Sequence, residues 1–416
     1  MPAGRGWLRR VAGYSGLILA ATISFWWSPA PRPSDRFCGA YLHLGRGLGI
    51  PFNCDALDFM ENARSPSRLL EPRAVRQSRP MFVLLGAALG HPATWAVRGI
   101  EASGLLPARA VEKLRKTHWW VGYYVGFVTL NYLALLAALL LFRLAYDRLT
   151  AGEGDVVVCT GLMVFLVSNP VTKAFFWTVH QQMLTFLVPV LLLHVAFRLR
   201  ESSRWRRSLP WLALAGGLLV LVYGSFVLLL PVLLYGAWLE EHRLPATVLL
   251  VKGLALVGLF LLPTLCWIGL LGVLGVTFYS HEVEAYGQLV WLGAAWRLPL
   301  AEFLPLLGRN LDLFLQTLPT IAPFLVAAAP MLVPGRATMP GRGSVGVLAA
   351  LLLLQVGFLA LLGYYGERLT WGLVPSLLLL AGVALVGLPP RATGMVVLFF
   401  ALCWHLGQVL SHGPYD

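Results

Sequence analysis

The strongest constraint on this chain is a succession of long apolar runs, almost free of charge, separated by short turns that carry arginine. Runs such as 119–142, 178–198, 245–276 and 345–364 reach the roughly 20 residues with which an α-helix crosses a hydrocarbon core. Inside such a core every backbone amide and carbonyl must find a partner within its own segment, so these runs predict helices. Composition agrees, since 58% of the 416 residues are hydrophobic and 12% charged, outside the range of soluble domains. The formal net charge of +13 raises nucleic acid as a partner. The arginines, however, cluster between apolar runs, as they do in loops that set membrane orientation, so nucleic-acid binding is set aside.

A basic start (Arg5, Arg9, Arg10) precedes an apolar run over 11–27 that ends on Trp26 and Trp27. No clear small-residue cleavage site follows, and the tryptophans suit an interfacial anchor, so an uncleaved first span is expected, starting in the cytoplasm. Segment 81–97 sits at the lower edge of spanning length and contains Gly86, Gly90 and Pro92. If it crossed, the densest basic cluster, 198–207, would land outside, so 81–97 is expected to be interfacial or re-entrant, although the basic stretch 109–116 argues the other way. Later spans then alternate at 119–142, 155–169, 178–198, 209–223, 226–239, 245–276, 311–333, 345–364, 371–388 and 394–410. The expectation is one all-α polytopic transmembrane bundle over 1–416, with about eleven spans. A large first outer loop, 29–118, carries interfacial helices, and a second outer loop covers 277–310. Within the second, 297–309 bears charge at both ends and in the middle and is broken by prolines, which suits a segment lying in the interface.

Chemistry is expected in the first outer loop. Asp55, Asp58 and Glu61 are spaced three and three, so on a helix they share one face. Leu57, Phe59 and Met60 would anchor that helix on an apolar surface and hold the carboxylates near headgroup level. There a carboxylate can accept a proton from an attacking hydroxyl; the alternative is a solvated acidic face. Arg76 and Arg79 follow, suited to phosphate through their planar forks. Of five cysteines, Cys159, Cys266 and Cys403 lie in apolar runs as packing residues. Cys38 and Cys54 both fall in the first outer loop, where an oxidising compartment would allow a bridge closing about 15 residues, worth roughly 3 kcal/mol; two unpaired thiols remain the alternative. Lys173 and His180, near the turn 169–173, are further candidates for touching a phosphate or glycan, against a satisfied histidine at a helix start. His281 and Glu282, with Glu284, form an acidic outer cluster for an acceptor, and no ligand spacing supports a metal.

The order of one span, an outer loop opening on an acidic residue, an aromatic four positions on and a small residue four further resembles the GT-C class of integral-membrane glycosyltransferases. Protein O-mannosyltransferases and lipid A aminoarabinose transferases carry such a motif, and Asp55, Phe59 and Ala63 match its register. Those families usually place a second acidic residue directly after the first. Here that position is Ala56 and Asp58 is the nearest substitute, so either aspartate remains a candidate base. Arg79-Pro80 is similar to the Arg-Pro pair that follows the acidic motif, and Glu367-Arg368 with Pro375 to the late Arg-then-Pro pattern.

The resemblance implies a GT-C-like fold and transfer of a sugar, with inversion, from a polyprenyl-phosphate-linked donor to a glycan, lipid or protein acceptor. The aspartate would act as base, Arg368 first and Arg79 and Arg76 next would bind the donor phosphate, and no cofactor is required. It further implies a bacterial plasma membrane with the site facing outside. A transporter is disfavoured, because the spans hold almost no charge and Lys252 lies near an end where it can snorkel. A non-catalytic scaffold with the same fold is the other alternative.

Overall fold

The computed structural model describes residues 3–29, 39–45, 48–104, 108–241, 245–331, 342–363 and 366–411. After α1 (Ala3–Ser24) come the antiparallel strands β1 (Gly39–Gly45) and β2 (Leu48–Asn53), then α2 (Asp55–Arg64), α3 (Pro80–Ala102) and α4 (Ala108–Leu149). The chain continues through α5 (Val156–Val167), α6 (Pro170–Phe175), α7 (Leu184–Glu201), α8 (Ser203–Arg207), α9 (Leu209–Val220), α10 (Leu229–Glu241) and α11 (Ala246–Val273). It closes with α12 (His281–Tyr286), α13 (Leu300–Leu315), α14 (Ala322–Ala328), α15 (Arg342–Leu362), α16 (Glu367–Thr370), α17 (Val374–Ala384) and α18 (Pro390–Leu410). Eight helices among the described residues are long and apolar enough to cross a membrane, and Val156–Val167, Leu209–Val220 and Gly224–Glu240 are shorter apolar helices. By length and composition this is a helical bundle of the integral-membrane kind. The small β1–β2 hairpin is an exception to the all-α expectation.

The basic turns meet at one end of the bundle. Arg148 at the end of α4 pairs with Glu201 at the end of α7, and Arg200 donates to the carbonyl of Gly343 at the start of α15 at 2.7 Å. At the opposite end lie the starts of α7 and α17 and the ends of α1 and α18. There His405 of α18 joins Ser168 (2.6 Å) and Ser24 (3.1 Å), while Trp404 donates to the carbonyl of Ser168 at 2.6 Å. The first and last helices are thus tied through the turn after α5.

Residues 81–97 form one regular helical stretch. They belong to α3, an uninterrupted helix of 23 residues that is long and apolar enough to cross a membrane. Pro92 is tolerated inside it because Ala88, whose carbonyl loses its partner four residues on, lies on the exposed side of the helix, where a small bend meets no neighbour. The stretch 29–118, expected to carry helices between the first two spans, includes the two strands, α2, all of α3 and the start of α4. The geometry of α4 explains how this fits the alternation of the other helices. At 42 residues α4 is about 63 Å long, well beyond the ~30 Å of a hydrocarbon core. Its second half packs in the bundle, through Leu135, Leu139 and Phe142, whereas its first half pairs with α3. The α3–α4 hairpin therefore leaves the level of Arg79 and returns to it near Asn131. Chain direction in the bundle is preserved.

Two facing glycine pairs draw the hairpin together: Gly86 and Gly90 on α3, Gly122 and Gly126 on α4. Each pair has the four-residue spacing that lets helix backbones approach closely. A Cβ on Gly126 would sit 2.7 Å from the backbone nitrogen of Gly90, and one on Gly122 would lie 2.6 Å from the Cα of Thr94. The stretch expected to lie in the interface, 297–309, falls mostly in α13, whose amphipathic surface leaves Leu300 and Leu304 exposed. It then runs on into α14 through a 3-10 turn at Leu318–Ile321, and Leu300–Met331, which takes in most of the span expected over 311–333, is together long and apolar enough to cross a membrane.

Gly126→Leu is expected to force α3 and α4 apart and to cost about 1–3 kcal/mol, as overpacking does. Gly99→Leu, whose added Cβ meets nothing within 4 Å, serves as control. Thermal unfolding in one detergent compares the two; equal melting temperatures would show that this close approach is not needed.

Candidate functional site

The site begins with Asn53, the last residue of β2. Its backbone N–H donates to Thr178 Oγ1 at 3.0 Å, and its side-chain oxygen accepts from the N–H of Asp55 at 2.7 Å, an Asx turn that starts α2. Cys54 between them is disulfide-bonded, while Cys159, Cys266 and Cys403 are free. Its expected partner, Cys38, lies outside the described residues. The turn carrying Thr178 is held by Asn131 of α4, a buried amide whose nitrogen donates to the carbonyls of Phe175, Phe176 and Thr178 at 2.8–3.1 Å. Tyr124 donates to the carbonyl of Trp177 at 2.6 Å, and the Trp177 indole donates to that of Thr22 at 2.9 Å.

α2 is amphipathic as its sequence predicts, although the buried set is Ala56, Phe59, Met60 and Ala63, while Leu57 is exposed. Phe59 packs edge-on against Phe82 of α3 and tilted against Phe127 of α4. Its other face carries the guanidinium of Arg76, 4.1 Å from the ring centroid. Arg76, with 8% of its side chain exposed, donates through Nη2 to Asp55 Oδ1 at 2.7 Å and through Nε to Asp58 Oδ2 at 2.5 Å. The three-residue spacing read from sequence does place both aspartates on one face. Arg76, expected on a phosphate, is instead engaged by both of them.

The aspartates differ in what remains open. Asp58 Oδ1 accepts from Asn62 at 3.0 Å. Asp55 Oδ2 accepts no hydrogen bond among the described residues and lies 3.8 Å from His180 Nε2. His180 is the cap at the head of the 3-10 turn before α7, its Nδ1 accepting from the N–H of Gln182 at 3.2 Å. Burial, followed by repulsion from Arg368, Arg79 and Arg76, pulls its pKa well below the ordinary value, so the ring is neutral at neutral pH. A neutral ring whose Nδ1 accepts carries its proton on Nε2, toward Asp55.

Arg79 pairs with Glu282 Oε1 at 2.5 Å, and Ser78 donates to Glu282 Oε2 at 2.9 Å. Burial pulls Arg79 down, with Glu282 opposing. Burial alone would raise the Glu282 carboxyl, yet Arg79 and the hydrogen bonds hold it below its usual range. Gln77 fastens the same two segments, since its side-chain oxygen accepts from the N–H of Tyr279 at 2.6 Å and its carbonyl accepts from Trp267 Nε1 at 2.9 Å. Arg368 of α16 lies 5.6 Å from the Phe175 centroid, and that ring packs tilted against His180 at 4.7 Å. Among the described residues no carboxylate pairs with Arg368.

The other candidates lie apart from this cluster. Glu61 pairs with Arg68 on the exposed side of α2. His281 contacts the Tyr279 hydroxyl at 3.1 Å and the Tyr286 ring. Lys173 is buried, its pKa pushed down to about 8 by desolvation, and it donates to the carbonyls of Gln408 (2.8 Å) and Ser411 (2.5 Å), capping α18. That cation is not available to a phosphate at the cluster. Among the described residues, no group of three or more His, Cys, Asp or Glu side chains could hold a metal ion. Sequence reading missed Asn131, Gln77 and Thr178; an amide alone in an apolar run, as Asn131 is, was a usable signal.

Two apolar recesses flank the start of α7. One, about 220 Å³, lies between α3, α4 and α7 and is lined by Phe82, Leu85, Leu130, Leu133, Leu187 and Val222. The other is a narrow seam of about 40 Å³ between α7, α15 and α17, running past Thr185, Tyr223, Gln355 and Leu362 to Leu369, beside Arg368. Comparison with protein-family models, with curated proteins and with solved structures finds no match.

Arg76→Gln leaves two half-exposed carboxylates facing each other without their cation, and a loss of roughly 1–3 kcal/mol is expected after allowing for solvent screening. Arg68→Gln on the exposed side of the same helix is expected to cost under about 1 kcal/mol. Equal chemical-denaturation midpoints for the two variants would remove Arg76 as the keystone of α2. For His180, an unfolded chain takes up the proton near pH 6.5 while the folded chain resists it, so stability falls as pH drops below about 6.5. The melting temperature should therefore fall more between pH 7 and 5 in the wild type than in His180→Gln.

Proposed function

We propose that the chain is a membrane glycosyltransferase that draws on a polyprenyl-phosphate-linked sugar and acts at the end of the bundle carrying Asp55 and Arg368. The observation that carries the reading is the convergence of one carboxylate oxygen left open, Asp55 Oδ2, and one cation without a carboxylate partner among the described residues, Arg368, around His180. In this mechanism Asp55 takes the proton of the acceptor hydroxyl as that oxygen attacks the anomeric carbon. The bond from that carbon to the phosphate oxygen breaks, and the polyprenyl phosphate leaves with the electron pair. Arg368 neutralises the charge growing on the leaving phosphate, where a preorganised donor counts most. His180 turns its Nε2 toward Asp55 Oδ2 from 3.8 Å, and Arg76 fixes the opposite oxygen. The apolar seam beside Leu369 gives the first part of the prenyl chain a path away from the phosphate. With the basic end cytoplasmic, as the positive-inside bias requires, the site faces outward.

Glycan and glycolipid profiles of source cells lacking the protein test this reading, with complementation at matched membrane levels. Wild type should restore a missing glycan, and Asp55→Asn should lower its formation about 10²–10⁴-fold, the range typical of a general base. Asp58→Asn should restore more than Asp55→Asn, and Arg368→Ala should impair donor use far more than Lys252→Ala. Full restoration by both aspartate variants would leave a scaffold role in front.

A further inference from the structure

The basic end of the bundle carries the largest recess described, about 480 Å³, far from the aspartates and unused by the proposed chemistry. Its walls are aliphatic and come from three helices: Ala196 of α7, Pro231 and Val232 of α10, and Val347, Leu351 and Leu354 of α15. Arg200 and Tyr235 supply its polar end. The recess is open sideways, since Pro231 and Ala350 on its rim are exposed, and a Cβ on Gly346 would meet nothing within 4 Å. Leu353, one turn from the rim, is 71% exposed, as a lipid-facing residue is. From Gly343 to Leu354 the groove follows α15 for about 16 Å, half of the ~30 Å hydrocarbon thickness, so its depth matches one leaflet.

Charge decides which lipid fits. Arg200 donates once, to the Gly343 carbonyl at 2.7 Å, and forms no ion pair among the described residues. Nearby acids are engaged elsewhere, Glu201 by Arg148 and Glu240 by Lys252. Next to it α8 presents Arg204, Arg206 and Arg207 with no acidic residue in the helix. An apolar groove one leaflet deep, with an unneutralised guanidinium at its mouth beside further arginines, is complementary to an anionic headgroup bearing an acyl chain.

We propose that this groove is a binding site for an acidic glycerophospholipid, its phosphate on Arg200 and one acyl chain between α10 and α15. The site is separate from the aspartate–arginine cluster and does not depend on any transferase activity.

The test uses the purified full-length chain, delipidated in detergent and titrated with dioleoyl phosphatidylglycerol or dioleoyl phosphatidylcholine, with bound lipid counted by native mass spectrometry. The phosphatidylglycerol adduct of the wild type is expected to be at least about tenfold more abundant. Arg200→Gln should remove that preference by taking away the cation, and Gly346→Leu should lower the adduct by filling the groove, both leaving phosphatidylcholine adducts unchanged. Ala350→Phe is the second groove-filling variant should Gly346→Leu fail to fold, as judged by melting without lipid. Equal retention of the two lipids overturns the proposal. So does loss on Arg200→Gln with full retention in the folded groove-filling variant, because the headgroup would then be held by the basic surface alone.

Discussion

A guanidinium almost out of water cannot persist without anions, and that requirement at Arg76 arranges much of what surrounds it. Two carboxylates must reach one side chain, so α2 has to present Asp55 and Asp58 on the same side, and the chain over 65–79 has to fold back across them. The ring of Phe59 must then lie flat beneath the cation. Phe59 is pinned in turn by Phe82 and Phe127, which brings α3 and α4 close enough for their glycines to meet. One buried charge thus connects α2 to the base of a long hairpin.

The cluster also sorts its charges. Arg76 is neutralised by aspartates, Arg79 by Glu282, and Arg368 faces an aromatic ring with no carboxylate beside it among the described residues. Burial, reinforced by three arginines around it, keeps the His180 imidazole neutral rather than a fourth cation. The same field disfavours any further positive charge there and favours an anion. The latch between 77–79 and 279–282 sets the cluster's outer wall by joining chain segments some two hundred residues apart.

Much of this was legible in the sequence because it rests on local periodicity. The apolar runs became helices, Asp55 and Asp58 fell on one face, and the basic turns that carry Arg148 and Arg200 met at one end. What was not legible depends on partners distant in sequence. Nothing around Lys173 announces that its ammonium caps a helix ending at Leu410, and nothing near Arg76 distinguishes a cation for a ligand from one for two aspartates. The stretch 81–97 was legible only in part. Length and composition describe what a helix can cross, but its course here is fixed by pairing with the first half of α4, and the facing glycine pairs that encode that pairing were not read as such.

The closure of the bundle by α18 bears on how the protein is made. His405 supplies the partner that Ser24 and Ser168 share, and the carbonyls at its far end receive the Lys173 ammonium. During synthesis those groups emerge well before α18 does. Until it does, hydroxyls and a lysine near the membrane surface stand open to lipid, so a nascent or truncated chain displays an unsatisfied polar seam. The docking of α18 closes that seam.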